Sequence, residues 1–225
     1  ILAELLGALR VNVLQISDGA LREGLLYDLL GRLTHEDARE RSVRAMAARY
    51  QVDDAQAGRV AATAEMLRKQ CMGRWQLEMP LSQEMLNWSA RLHEIGLDIS
   101  HDGFQRHGAY VAEHADLPGF PRAEQRFLAF LIGSQRHSID TRSNDKLPRA
   151  WREMALRLAM ILRLAVLLNR SRSSVEMPAI ELAVDGHSLA LRFDSTWLQE
   201  NPLTVADLER EQGYLQNVGY ELIFS

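Results

Sequence analysis

A chain of 225 residues with 47% hydrophobic residues is long enough for one large or two modest cored domains, and its composition argues against disorder. A formal net charge of −4 excludes an overall positive field drawing it to nucleic acid or an acidic membrane, so a polyanion site must come from local clusters of Arg and His. The single cysteine, Cys71, excludes an internal disulfide and a cysteine-based zinc site, and suits a reducing cytoplasm.

The chain opens within Ile1-Leu2-Ala3-Glu4-Leu5-Leu6, with no initiator Met, basic flank or signal cleavage site, and reads as starting partway through a helix. Residues 1–9 finish that helix, and 11–16 alternate as a strand. Ser17-Asp18-Gly19 turns, and Leu21, Leu25, Leu29 and Leu30 share one face of a short helix ending near Gly31. One strand cannot bury both of its faces, so this α/β piece needs sheet partners elsewhere.

From His35 the pattern becomes helix after helix. Segment 36–50 carries Val43, Met46 and Ala47 at helical spacing, and Asp53-Asp54 starts a helix running to about Cys71. Residues 82–93, with Leu86, Trp88 and Leu92 for the core, are followed by helices over 108–116, 122–134 and 149–169. The most apolar run, 160–168, is broken by Arg163 and is far short of the ~20 residues that span a bilayer, so no transmembrane helix is expected. The polar stretch 169–178 marks a boundary. Beyond it, 180–184 and 189–193 alternate around Asp185-Gly186-His187-Ser188, a hairpin centred on Asp-Gly. Segments 196–200 and 202–218 read as helices, the second burying Leu203, Leu208 and Tyr214, and 220–224 as a last strand.

Four of the seven histidines fall between His93 and His114, among Glu94, Asp98, His101, Asp102, Arg106, His107 and Asp116. Imidazole and carboxylate are divalent-metal ligands and proton carriers near neutral pH, so this is the densest candidate for chemistry. The plainer reading of His93 is a buried imidazole bonded to Glu94 or to a carbonyl. Gly96 and Gly103 read as turn glycines permitting positive φ, and Pro118-Gly119 as a turn. Arg39, Arg41, Arg44 and Arg49, interleaved with Glu36, Asp37 and Glu40, read as a salt-bridged solvated face. Arg170 and Arg172 read as linker surface. Trp75, Trp88, Trp151 and Trp197, with no basic stripe among them, read as core or interface aromatics.

Leu92-His93-Glu94-Ile95-Gly96-Leu97 resembles the His-Asp-Ile-Gly core of the HD phosphohydrolase superfamily, with Glu in place of Asp. That resemblance aligns Gln56 with an earlier His ligand and Val166 with a later Asp ligand, so three of four ligands depart from the pattern and no metal is expected at this degenerate site of His93 and Glu94. The longer string from His93 through Gly103-Phe104-Gln105-Arg106-His107-Gly108-Ala109-Tyr110, followed by Asp116-Leu117-Pro118-Gly119-Phe120, is similar to the C-terminal region of the exopolyphosphatase and guanosine pentaphosphate phosphohydrolase (Ppx/GppA) family. Ser17-Asp18-Gly19 through Tyr27, Arg136-His137, and Arg163 through Asn169 agree with it in order.

The resemblance implies a mainly α fold: the end of an actin-like α/β domain (1–34), an HD-like all-helical domain (35–174) and a small α+β domain (175–225). It implies that terminal phosphate is released from inorganic polyphosphate, with magnesium, between two N-terminal actin-like domains that this chain lacks. The chain itself is then expected to hold no catalytic residue and to be inactive alone, serving as polyphosphate grip and homodimer interface in a cytoplasmic enzyme, peripheral membrane association being an alternative. The candidate phosphate contacts are Arg106, His107, Arg136, His137, Lys146 and Arg149, because forked guanidinium donors and spaced cations suit a phosphate chain. Guanosine pentaphosphate as substrate, and a free-standing HD-type metal hydrolase, are the competing readings. A dimerisation domain without a ligand is the third.

Overall fold

The computed structural model describes residues 37–173 and 178–225; the strand and helix expected over residues 1–34 lie outside them. The fold is mainly helical with one small sheet. Its elements are α1 (Ala38–Arg49), α2 (Asp54–Trp75), α3 (Pro80–Leu92), a 3₁₀ turn (Ile95–Asp98), α4 (Phe104–His114), α5 (Arg122–Ser134), α6 (Thr141–Asp145) and α7 (Arg149–Leu168). Then come β1 (Glu181–Asp185), β2 (Ser188–Arg192), α8 (Ser195–Glu200), α9 (Pro202–Gln216) and β3 (Glu221–Phe224).

The helix starts follow local chemistry. Asp37, Asp53, Asp140 and Asp194 each cap a helix by accepting a backbone N–H from its first turn. Helix α3 begins two residues earlier than the sequence pattern implies, because Pro80 occupies the first helical position, where its missing N–H costs nothing. Helix α4 begins at Phe104 rather than Gly108. Gly103 (φ +65°) makes the turn into it, and Gly108 lies inside the helix, where the missing side chain permits close packing on α5: a Cβ there would stand 3.0 Å from Ile132 Cγ2. Gly119 (φ +89°) is the expected turn glycine, but Gly96 is not in the left-handed region. Its role is close approach: a Cβ would fall 2.6 Å from the Gly108 nitrogen and closer still to the Phe104 carbonyl oxygen. The two glycines let the 3₁₀ turn lie against α4.

The long helices α2, α3, α5 and α7 pack around one apolar core containing Leu67, Trp75, Leu86, Trp88, Phe127 and Leu158. In the sheet the order is β1-β2-β3, β1 and β2 antiparallel, β2 and β3 parallel across the α8–α9 crossover. The hairpin pairs Asp185 with Ser188, so its connection is Gly186-His187, one residue later than the sequence implies, with the left-handed position at Gly186 (φ +54°). Leu182, Val184, Leu189, Leu191 and Leu222 face inward. On α9 Leu208 and Leu215 are buried, whereas Leu203, expected in the core, is 82% exposed because it sits on the outward side of the first turn.

The sheet is bound to the helices by polar contacts as well as by apolar ones. The Gln70 amide on α2 donates to the Ile180 carbonyl (3.0 Å) and accepts from the Leu182 N–H (2.6 Å), occupying the open edge of β1. Tyr220 donates its hydroxyl to Glu153 on α7 (2.6 Å). Arg163, the residue that breaks the apolar run, is 2% exposed and forms a two-pronged pair with Glu211 of α9, with Nη2 to Oε2 at 2.8 Å, while Nη1 donates to the Ser134 carbonyl at the end of α5. Burial pushes the Glu211 carboxyl up more than Arg163 pulls it down, so the pair positions elements at a desolvation cost.

Glu211→Gln leaves the Arg163 charge buried without its counterion and is expected to lower stability by about 3–5 kcal/mol, roughly 10 °C in Tm. Arg163→Met combined with Glu211→Leu removes both charges and is expected to lose less than the single change, measured by thermal and denaturant unfolding.

Candidate functional site

The residues that the sequence aligns with an HD metal site come together in space. Gln56 of α2, His93 and Glu94 after α3, and Val166 of α7 line one cavity of about 430 Å³. Their donors are otherwise engaged. His93 is buried and hydrogen-bonds the Ala90 carbonyl through Nδ1 (2.7 Å), while its Nε2 lies 3.8 Å from Glu94 Oε1. Gln56 donates to the Asn169 carbonyl (2.8 Å), and its oxygen accepts from Arg59 (2.8 Å). The Glu94 carboxylate accepts from Arg172 Nη2, and the same guanidinium reaches Asp53 Oδ2 at 3.1 Å. Val166 offers no donor. The donor set therefore does not fit a metal ion: the one carboxylate in it is neutralised by an arginine. Among the described residues no three His, Cys, Asp or Glu side chains converge on a possible metal position.

This inner cleft has basic walls, most of them paired. Arg163 is held by Glu211, Arg170 and Arg210 share Asp207, and Arg172 bridges Glu94 and Asp53. Arg170 and Arg172, read from sequence as linker surface, are thus part of the site. Asn169, at the start of the supposed linker, is a buried C-cap whose amide donates to Thr63 (2.9 Å) and to the Ala165 carbonyl (2.8 Å). Gln135 is buried at the cleft floor; its amide nitrogen donates to the His93 carbonyl and, at 3.1 Å, to the Ile132 carbonyl, tying the end of α5 to the end of α3.

A second, outer cleft of about 610 Å³ runs between α4, α5 and the segment leading to α6. Of the six basic residues singled out in the sequence, Arg106, Arg136, His137 and Lys146 line it, and Arg136 and His137 also line the inner cleft, so the two cavities meet at these residues. His107 and Arg149 line neither. Arg136 is half-buried with its guanidinium over the Phe104 ring, 5.3 Å from the centroid, and has no carboxylate partner among the described residues. Burial first and then the nearby Arg170 charge push its pKa below that of an ordinary guanidinium. His137 is held in the left-handed region (φ +57°), which a side chain with a Cβ rarely adopts. Arg106 and Lys146 are exposed and also lack a carboxylate partner among the described residues.

The dense histidine segment is therefore dispersed. His93, Glu94 and His101 face the inner cleft, Asp102 and Arg106 the outer one, and His114 stacks on Tyr110 with centroids 4.2 Å apart. Cys71 is buried, and burial pushes its thiol up to about 12, which leaves it unreactive. Trp75 and Trp88 are core rings, and Arg39 is salt-bridged as expected, to Asp37, Glu84 and Glu124, but lies partly buried over Trp88 rather than fully solvated. Sequence reading missed Arg163, Glu211, Gln135 and Asp207; for Arg163 the available signal was a charge inside an apolar helix, which must find a partner.

The described residues thus form a mainly helical scaffold with two confluent, cation-lined clefts and a donor set unfit for metal. The family description Ppx/GppA phosphatase, domain III, matches residues 38–212. The chain belongs to the Ppx/GppA phosphatase family. It is 36% identical over 225 residues to proteins called guanosine-5'-triphosphate,3'-diphosphate pyrophosphatase from Vibrio cholerae. It is 34% identical to the protein of that name from Photobacterium profundum and 36% identical to that of Vibrio campbellii. In each, 99% of this chain is aligned and it spans 44% of the relative's length.

The buried His93 gives the scaffold an acid sensitivity. Desolvation, aided by Arg172 and opposed by Glu94 and the Ala90 bond, holds its pKa below the ordinary value of 6.5. The unfolded chain then takes up a proton first, so the stability from neutral His93 is complete above about pH 6.5 and is lost as pH falls towards its folded-state pKa. Tm is expected to drop between pH 7 and pH 5, and His93→Asn, which keeps a donor for the Ala90 carbonyl, is expected to flatten that slope.

Proposed function

We propose that this chain is the phosphate-gripping C-terminal region of a Ppx/GppA phosphohydrolase, whose hydrolytic half lies outside it. The observation that carries the reading is Arg136: a half-buried cation where the two clefts meet, with no carboxylate in ion-pair contact among the described residues, Asp207 acting on it only at longer range. A desolvated cation is stabilised by a bound anion, and guanidinium matches phosphate oxygens in geometry. Arg106, Lys146 and His137 extend the positive track along the outer cleft, and Arg170 continues it into the inner one. A phosphate polymer carries about one charge per residue and needs such spaced donors, with no chemistry at each contact.

Inorganic polyphosphate is the ligand that this spacing of cations supports. The name borne by the relatives favours a second reading, in which the ligand is the phosphate-rich end of guanosine pentaphosphate. Magnesium in this proposal belongs to the hydrolytic half, and a homodimer in the cytoplasm is its working form. Among the described residues no helix is long and apolar enough to cross a membrane.

Binding of a long-chain polyphosphate to the full chain, followed by fluorescence anisotropy from about 50 to 300 mM salt, is expected to fall with a log–log slope of about −2 to −3, set by Arg106, Arg136 and Lys146. Arg136→Ala is expected to reduce the slope by about one. No binding at the lowest salt, or a slope near zero, removes the gripping role, and phosphate release by this chain alone contradicts the division of labour.

A further inference from the structure

One face of α9, made of Asp207, Glu211 and Tyr214 on successive turns, lines the inner cleft. Its three side chains are differently engaged. Glu211 is buried against Arg163 and holds the fold, and Tyr214 meets the His137 ring edge-on, with centroids 6.5 Å apart, where the clefts join. Asp207 does neither. It pairs with Arg170 Nη1 and, at 3.3 Å, with Arg210 Nη1, and those side chains are 57% and 63% exposed while the carboxylate between them is 17% exposed. Exposed arginines keep their hydration, so the fold gains little from these two contacts. The Asp207 charge also reaches Arg136, where it partly offsets the burial and the Arg170 charge that hold the Arg136 pKa down. A carboxylate flanked by two guanidiniums, with a third nearby, has the surroundings that a phosphate of a ligand would have in the same place.

Resting on the phosphate-gripping reading above, we infer that Asp207 is a specificity-determining residue: it stands in for a phosphate beside the junction, keeps Arg170 and Arg210 occupied, and stops a polyanion held in the outer cleft from extending into the inner one. Arg170 continues the basic track in position, but its charge is already taken. A polymer entering there must displace Asp207 from both arginines and then lie against its negative charge, so the carboxylate discriminates by repulsion as well as by competition. The outer cleft has no counterpart, since among the described residues no carboxylate is in ion-pair contact with Arg106, Arg136 or Lys146. The run of cations open to a ligand is thereby cut to those three, and the strength of the grip with it.

The test is the salt titration of long-chain polyphosphate binding, made on the full chain and on its Asp207→Asn form; asparagine keeps an oxygen for Arg170 and removes the charge. Asp207→Asn is expected to tighten binding about tenfold at the lowest salt and to steepen the log–log slope by about one to two, as Arg170 and Arg210 join the contacts. Adding Arg170→Ala to that variant is expected to take about one back from the slope. Glu209→Gln removes the same charge from an exposed position of α9 that lines neither cleft, and is expected to leave binding unchanged. Unfolding curves verify that each variant is folded. An affinity and slope unaltered by Asp207→Asn, or an equal gain from Glu209→Gln, overturns the role of Asp207 while the phosphate grip stands; absence of binding by the unaltered chain and by Asp207→Asn alike overturns the grip and this role together.

Discussion

The arrangement of both clefts depends on where Arg163 puts its five donors. From the middle of α7 the guanidinium takes Glu211 of α9 with two prongs and the last carbonyl of α5 with a third, so three helices that converge from different directions are fixed at one point. The chain leaving α5 is thereby held at Ser134. Gln135 next ties that chain to the end of α3, and only then do Arg136 and His137 emerge into the cavities. A buried ion pair contributes little net stability once desolvation is counted. Here its value is positional, since an apolar pair would fill the same space but give the Ser134 carbonyl no donor.

The inner cleft, which the HD resemblance aligns with a metal site, has its one carboxylate already paired. A divalent ion at such a position would need several anionic or imidazole donors at once. The structure instead supplies one carboxylate, Glu94, and a cation from the chain itself, Arg172, whose left-handed backbone (φ +53°) places it across Glu94 and Asp53. His93 is locked by the Ala90 carbonyl and kept neutral by burial. The histidine and glutamate persist as packing and as the far side of a basic cavity. The same logic explains Gly96, which the HD-like string shares: its lack of a side chain serves contact with α4, needed whether or not a metal is bound.

How much of this was legible in the sequence depends on the range of the interaction involved. Helices and strands whose signal is local were readable: Asp53 as a cap, the alternation at Leu182 and Val184, and the core faces bearing Val43, Leu86 and Leu208. Gln56, His93, Glu94 and Val166 were also readable as one site, because the order of a known motif carries spatial information that composition does not. Errors arose where a residue's role is set by something distant in the chain. Arg170 and Arg172 looked like linker because their partners, Asp207, Asp53 and Glu94, lie tens of residues away. His107 and Arg149 carry the right charge, but neither lines either cavity, although Arg106 beside His107 lines the outer one. Leu203 has the right apolarity on the wrong side of its helix.

What separates the free cations from the bound ones also separates holding the fold from holding a ligand. Arg39, Arg163 and Arg172 each find a carboxylate on another element, and those three charges are spent on joining elements. Arg106, Arg136 and Lys146 find none among the described residues, and they are the ones brought to a single cleft. In a chain whose net charge is negative, acidic groups were available to neutralise them, yet Asp140 is turned to cap α6 and Asp207 to Arg170 and Arg210. A fold that pairs its buried and bridging arginines and leaves these three unpaired keeps a local positive potential for a ligand from outside, which the whole-chain charge conceals.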